Sequence, residues 1–334
     1  MKANRSFTSA MGPTIIRYLA LKRALGRGYT IEEAVLRSVD AFLTRGPTPG
    51  LDLTSETFAS WCQTFLHLVP TIRRNRMRIT RNFCLYRRRT ESACFVPDLT
   101  LFPAPRPPER PYIFTRAEVA RLLQAAGLLE RTDGAPLRPE IFRLAVTLLY
   151  TTGLRRGELL HLTLTDYDPH DRVLFVRQTK FHKSRHLPLS TDGFQEIEAY
   201  LRVRQARQIT MAPEAPLLWN AYKGGRSYTG TGLADGLRIL LRATDIRRPD
   251  GRLPRVHDFR HTFAVHALVR WYRSGADVQA KLPLLATYMG HVSIVSTEYY
   301  LQFIEDLAMS ASARFARHYP ELSNPPPRQK GIDR

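Results

Sequence analysis

Four stretches of the chain hold side chains able to bind an anion, move a proton or attack as a nucleophile. In TTGLRRGELLHL, residues 151–162, Gly153 lets the backbone turn, and Arg155 and Glu158 fall on one face of the helix that follows. That spacing alone is also the pattern of an ordinary surface ion pair. In VHDFRHTFAVH, residues 256–266, His257, Arg260 and His261 stand at i, i+3 and i+4 on one helical stripe. Read as a zinc pair, the two histidines lack the HExxH glutamate and a third ligand nearby, so no metal is expected. In MGHVSIVSTEYYLQF, residues 289–303, Gly290 permits a tight turn into His291, and Ser296 or Thr297 caps a short helix presenting Tyr299 or Tyr300. The fourth stretch, TKFHKSRHLPL, offers Lys180, Lys183 and Arg185 around a turn.

These groups are far apart in sequence, so helices and a hairpin must bring them together. Thr115 followed three residues later by Glu118 forms a capping box ahead of an apolar-periodic run. Further helices are expected over 140–152, 156–163, 191–206, 230–243, 257–273 and 278–289. Residues 173–189 read as a β-hairpin, with Val173, Phe175 and Val176 going out and Leu187 and Leu189 returning. Asp166, Asp168 and Asp171 lack the glycine and distal glutamate of a calcium loop and are read as a turn between helix and strand. The first hundred residues read as helices, through spacings such as Ile31, Ala34, Val35, Val39, Phe42 and Leu43. Residues 96–111 contain six prolines, which exclude helix and favour an extended connector, the natural domain boundary.

Fifty Lys and Arg against thirty Asp and Glu leave a formal charge of +20, which a polyanionic partner would reward. Eight arginines and no acid occupy residues 71–90. Their mutual repulsion is relieved by phosphates, so Arg73, Arg74, Arg76, Arg78, Arg81, Arg87, Arg88 and Arg89 are expected to contact DNA, as are Lys183 and Arg185. No run approaches the roughly 18 apolar residues of a spanning helix, and charges interrupt every apolar run near the start, so a cytoplasmic, DNA-associated protein is expected. Cys62, Cys84 and Cys94 are odd in number, lack paired spacing and are read as reduced, buried thiols.

Taken in order, the four stretches resemble the tyrosine recombinase, or phage integrase, family, which carries a TGLR-xx-E box, a hairpin lysine, an HxLRH box and a GH-x8-Y box. The matching residues are Arg155 and Glu158, Lys180, His257 and Arg260, then His291 and Tyr300. Phe259 replaces the usual leucine, and the stretch from His257 to His291 is longer than in compact members. The extended form resembles recombinases of transposons and other mobile elements. The resemblance implies a multidomain, mainly α protein. A helical N-terminal core-binding (SAM-like) domain spans 1–104, a Pro-rich linker 105–111, a mixed α/β catalytic domain with a small antiparallel sheet 112–320, and a flexible tail 321–334. It further implies site-specific cleavage and rejoining of double-stranded DNA through a 3′-phosphotyrosyl intermediate, with Tyr300 as nucleophile and Tyr299 as a packed aromatic.

Within that reading Arg155, Arg260 and His291 bind the phosphate, His257 accepts the phenol proton, Lys180 rather than Lys183 protonates the leaving 5′ oxygen, and Glu158 supports them. His261 is structural. The ester intermediate conserves the bond energy, so no cofactor, ATP or metal is expected. Four protomers on paired sites are expected, with a helix after Tyr300 docking on a neighbour, and companion recombinases are possible partners. The rival readings are a type IB topoisomerase and an inactive DNA-binding accessory protein.

Overall fold

The computed structural model describes residues 7–45, 52–105, 107, 109–177, 184–291 and 295–303, the side chains of 295 and 296 excepted. The chain forms two compact units, Met1–Glu109 and Arg110–Arg334, meeting inside the proline-rich stretch. Among the described residues no helix is long and apolar enough to cross a membrane.

The first unit is helical: α1 (Gly12–Ala24), α2 (Thr30–Arg45), α3 (Ser55–Gln63) and α4 (Pro70–Arg87). Its core joins Ile15, Tyr18, Leu36, Val39, Trp61 and Phe83. The three cysteines carry free thiols, two of them buried. Burial raises Cys62 to about 11 and Cys84 to about 12, which keeps both thiols protonated.

Helix α4 corrects part of the arginine reading. Its inward face carries Met77, Thr80, Phe83, Cys84 and also Arg87. Arg87, its side chain 7% exposed, is bidentate to Asp52 at 2.7 and 2.8 Å and also pairs with Glu91. It holds the loop before α3 to the end of α4, and its guanidinium is engaged by two carboxylates rather than presented to solvent. Arg74 and Arg81 donate to the carbonyls of Pro103 and Pro97, at 2.6 and 3.0 Å, tying the start of the connector to α4. Arg76 lies over the Phe65 ring and Arg73 is half-buried, whereas Arg78, Arg88 and Arg89 are exposed.

The second unit contains α5 (Arg116–Gly127), α6 (Arg138–Thr152), α7 (Arg156–His161), β1 (Tyr167–Asp168), β2 (Val173–Val176), β3 (Arg185–Pro188), α8 (Thr191–Ala206), β4 (Trp219–Asn220), β5 (Arg226–Ser227), α9 (Gly230–Ala243), α10 (Val256–Arg273), α11 (Val278–Met289) and the short α12 (Val295–Glu298). Helix α6 is buried on nearly every side and packs against α5, α8 and α10. The Thr115–Glu118 capping box opens α5 as the sequence requires. Strands β2 and β3 form the expected antiparallel hairpin, Val173 opposite Pro188 and Val176 opposite Arg185. The strand β1 extends it to three, so the Asp168–Asp171 turn joins two strands rather than helix and strand; Asp168 Oδ1 accepts from the His170 and Asp171 amides. Leu174, Val176 and Leu187 face inward, which fixes the register, because a one-residue slip would turn them to solvent.

Candidate active site

Two glycine turns aim the site. Helix α6 ends at Gly153, with φ +62°, and a Cβ there would lie 2.5 Å from Phe263 Cδ1. The turn places Arg155 as the N-cap of α7, where its amide donates to Glu158 Oε2 at 3.0 Å and its Nη1 to Oε1 at 2.7 Å. Helix α11 ends at Gly290, with φ +67°. The His291 amide donates to the Ala286 carbonyl at 2.9 Å and the Gly290 amide to Thr287 at 3.0 Å, a Schellman closure that leaves the next carbonyls open. His291 leaves this turn with Nδ1 2.7 Å from Thr297 Oγ1, a buried hydroxyl, which orients the ring.

Helix α10 supplies the third component. Buried Asp258 accepts from the Arg255 amide at 2.7 Å, closing the first turn, and pairs with Arg255 and Arg248. That turn holds His257 and begins the stripe carrying Arg260 and His261. Arg260, 1% exposed, donates from Nη1 to Gly153 O and from Nη2 to Met289 O, both at 2.6 Å. One guanidinium therefore bridges the two turns that carry Arg155 and His291.

Tyr300, 3% exposed, stacks on His291 with ring centroids 6.3 Å apart and planes 15° apart, and lies 5.5 Å from the His261 ring. Tyr299 is 38% exposed and packs edge-on against Phe303, so Tyr300, not Tyr299, is the tyrosine buried beside His291 and Arg260. His261 stands 4.7 Å from His257 as well, which puts it between His257 and the phenol. Among the described residues its buried Nδ1 has no hydrogen-bond partner. Thus Arg155, Arg260, His291 and Tyr300 converge, with His257 one ring further out. Lys180 and Lys183 lie outside the described residues, as do the segment after 303 and the tail.

The electrostatics follow from crowding cations in a partly dry site. Burial and the neighbouring Arg155 push Arg260 down to about 9, still a cation at neutral pH. Burial, then Arg260 and Arg155, hold His291 at about 4; burial and His257 hold His261 at about 4; His257 is lowered by burial and Arg260. All three imidazoles are therefore neutral at pH 7 and able to accept a proton or donate one hydrogen bond. Burial raises Tyr300 to about 12, opposed by Arg260. Burial opposes ionisation of Glu158, but hydrogen bonds from Arg185 and from the Arg155 amide outweigh it and hold the carboxylate at about 2. An open cavity of about 590 Å³ adjoins the site, rimmed by Arg155, Arg156, Arg238, Arg255 and His257 over Leu237, Leu241 and Phe259.

Two residues escape the sequence reading. Asp258 is hidden between His257 and Arg260, inside the motif itself. Arg185, expected on DNA, instead turns inward: Nη1 and Nη2 reach Glu158 at 3.2 and 2.8 Å, and Nε reaches the Tyr288 carbonyl at 2.8 Å.

A match to the phage integrase family covers residues 113–305, and so spans all of these groups. The chain belongs to the phage integrase family. An integrase/recombinase of Sinorhizobium fredii, y4rB, is 32% identical over 318 residues, 94% of this chain and 99% of the relative. The tyrosine recombinase XerD of Bradyrhizobium diazoefficiens is 30% identical over 203 residues, 59% of this chain and 60% of its own length. Among solved structures, the Tn1549 transposon integrase in complex with circular intermediate DNA superposes with TM-score 0.59 at 19% identity, over 86% of this chain and 94% of that one. The XerH site-specific recombinase bound to a palindromic difH substrate gives TM-score 0.58 at 16% identity, over 84% and 77%. Identities this low speak for the integrase fold alone; the sequence relatives and the family match make this integrase-family chain a tyrosine-type site-specific recombinase.

Proposed function

We propose that the protein cleaves and rejoins duplex DNA by attack of Tyr300 Oη on one backbone phosphorus, forming a 3′-phosphotyrosyl ester and releasing a 5′ hydroxyl. The observation that carries this reading is the convergence of Arg155, Arg260, His291 and Tyr300 around the end of α11. A phosphodiester anion repels nucleophiles, and its pentavalent transition state gathers more negative charge on the non-bridging oxygens. Arg155 and Arg260 supply fixed N–H donors there, three arginines against the single carboxylate of Glu158 leave the site net positive, and His291 adds a neutral donor. A preorganised donor of this kind contributes roughly 3–4 kcal/mol to the transition state.

A phenol at about 12 needs help to ionise. An anionic oxygen beside Arg260 is favoured over a neutral one, and the neutral imidazoles of His257 and His261 provide the proton acceptor, His261 being the nearer to the ring. Lys180 returns a proton to the departing 5′ oxygen. Attack by a new 5′ hydroxyl on the phosphotyrosine reverses the bond changes and rejoins the strand, with no external energy source.

Both the N-terminal domain, residues 1–104, and the catalytic domain, 112–320, bind the duplex. Exchange of two duplexes calls for four protomers on paired sites, and the resemblance to recombinases of mobile elements favours a transposon-like segment as the DNA that is moved. A duplex carrying a nick beside the cleavage position should trap a covalent adduct that survives denaturation. Tyr300→Phe should form none, while Tyr299→Phe should keep it. An adduct that persists in Tyr300→Phe, or relaxation of any supercoiled plasmid irrespective of sequence, would remove this reading.

A further inference from the structure

The end of α11 has a complete hydrogen-bond account. Ala286 and Thr287 carbonyls are satisfied by the Schellman closure, and the next three, Tyr288, Met289 and Gly290, each accept from a different arginine: Arg185 Nε at 2.8 Å, Arg260 Nη2 at 2.6 Å and Arg155 Nη2 at 2.8 Å. A helix C-terminus leaves just such carbonyls unpaired, and cations are favoured at its negative end. Two of the three arginines are the ones proposed above to hold the phosphate. The third, Arg185, differs in its other partners. Its remaining nitrogens form a fork onto Glu158, the same carboxylate that receives Arg155, and its side chain is 10% exposed. Arg185 is the one of the three whose Nε and both Nη atoms all donate to protein oxygens among the described residues, whereas Arg155 and Arg260 engage their Nη atoms alone. The fork also fills the space beneath Gly290, where a Cβ would lie 2.8 Å from Arg185 Nη1.

We propose that Arg185 is a positioning residue that never touches the phosphate. By joining strand β3, Glu158 and the Tyr288 carbonyl, it fixes the end of α11 against α7, and so sets where Arg155 and His291 point. This rests on the phosphate-binding reading of Arg155, Arg260 and His291.

The test uses the full chain with Arg185→Gln and Arg185→Lys, and separates binding from chemistry. DNA affinity is measured across a salt series, and adduct formation on the nicked duplex is followed in a single turnover at saturating protein. The expected result is an unchanged affinity and salt slope with adduct formation slowed about 100-fold, the effect of displacing catalytic groups by about an ångström. Lys does not restore the rate, because an ammonium cannot span Glu158 and the Tyr288 carbonyl together; it retains the buried cation and supplies the measurement if Gln does not fold. A salt slope reduced by about 0.9, with the rate at saturation intact, would make Arg185 a phosphate contact and overturn the proposal. Wild-type rate and binding would overturn it equally. Wild-type protein that forms no Tyr300 adduct would instead defeat the underlying catalytic reading, which keeps the two failures apart.

Discussion

His291 and His261 enter the folded protein without a proton, and this makes the site a source of pH-dependent stability. Both are held at about 4 against an ordinary value of 6.5, chiefly by burial. Across that interval the unfolded chain binds more protons than the native one, so native stability is full above about pH 6.5 and declines as the pH falls toward 4. Glu158, held at about 2, adds its own loss only below about 4.5. Equilibrium denaturation should therefore show a decline already between pH 6.5 and 4.5, on the order of 1 kcal/mol per histidine after allowance for solvent screening. His261→Phe, which keeps the ring between His257 and Tyr300 but cannot be protonated, should flatten that decline; a profile identical to wild type would rule out His261 as a contributor. The converging residues Arg155, Arg260, His291 and Tyr300 were legible because each sits in a short box of fixed spacing. Asp258 and the Arg185 contacts were not, since nothing in a spacing rule states which charged side chain finds a buried partner.

At the scale of elements, the expected helices over 191–206, 230–243 and 278–289 coincide with α8, α9 and α11, because each opens on a capping side chain, Ser190, Thr229 or Asp277, that accepts from a first-turn amide. What the sequence left unread was direction. Strand β3 alternates, so Arg185 shares its face with buried Leu187, and that period of two already places the arginine inward. Composition argued the opposite, since a basic turn reads as a DNA contact until the alternation is followed past the apolar residues. Helix α4 shows the same error for Arg87, which falls on the stripe of Phe83 and Cys84. The turns that join elements are less forgiving than the elements. Gly153→Ala must hold φ near +62° with a Cβ 2.5 Å from Phe263, which should cost about 2–4 kcal/mol in stability. Because that turn delivers Arg155 and its carbonyl receives Arg260, adduct formation should fall as well, even below the melting transition. Wild-type stability in this variant would show that the turn can be remade at no cost.

For the molecule as a whole, positive charge is distributed over both units, seventeen basic against eight acidic residues in 1–109 and thirty-three against twenty-two in 110–334. A duplex gripped by both would exchange many counterions for guanidiniums, so affinity should fall about 1,000-fold or more between 50 and 200 mM salt, as for six or more phosphate contacts. The structure shows which arginines are exposed and which are enclosed. In the first unit Arg78, Arg88 and Arg89 are exposed, while Arg87 is enclosed by Asp52 and Glu91. Replacing the three exposed arginines by Gln should lower the slope of log affinity against log salt by two to three, about 0.9 for each lost contact, with little change in melting temperature. Arg87→Gln should do the reverse, leaving the slope intact and destabilising the unit, because Asp52 and Glu91 lose their cation and the buried end of α4 loses its tie to the preceding loop. A triple variant with an unaltered slope would take the first unit off the DNA and leave the catalytic domain to bind alone, whatever the total charge of the chain.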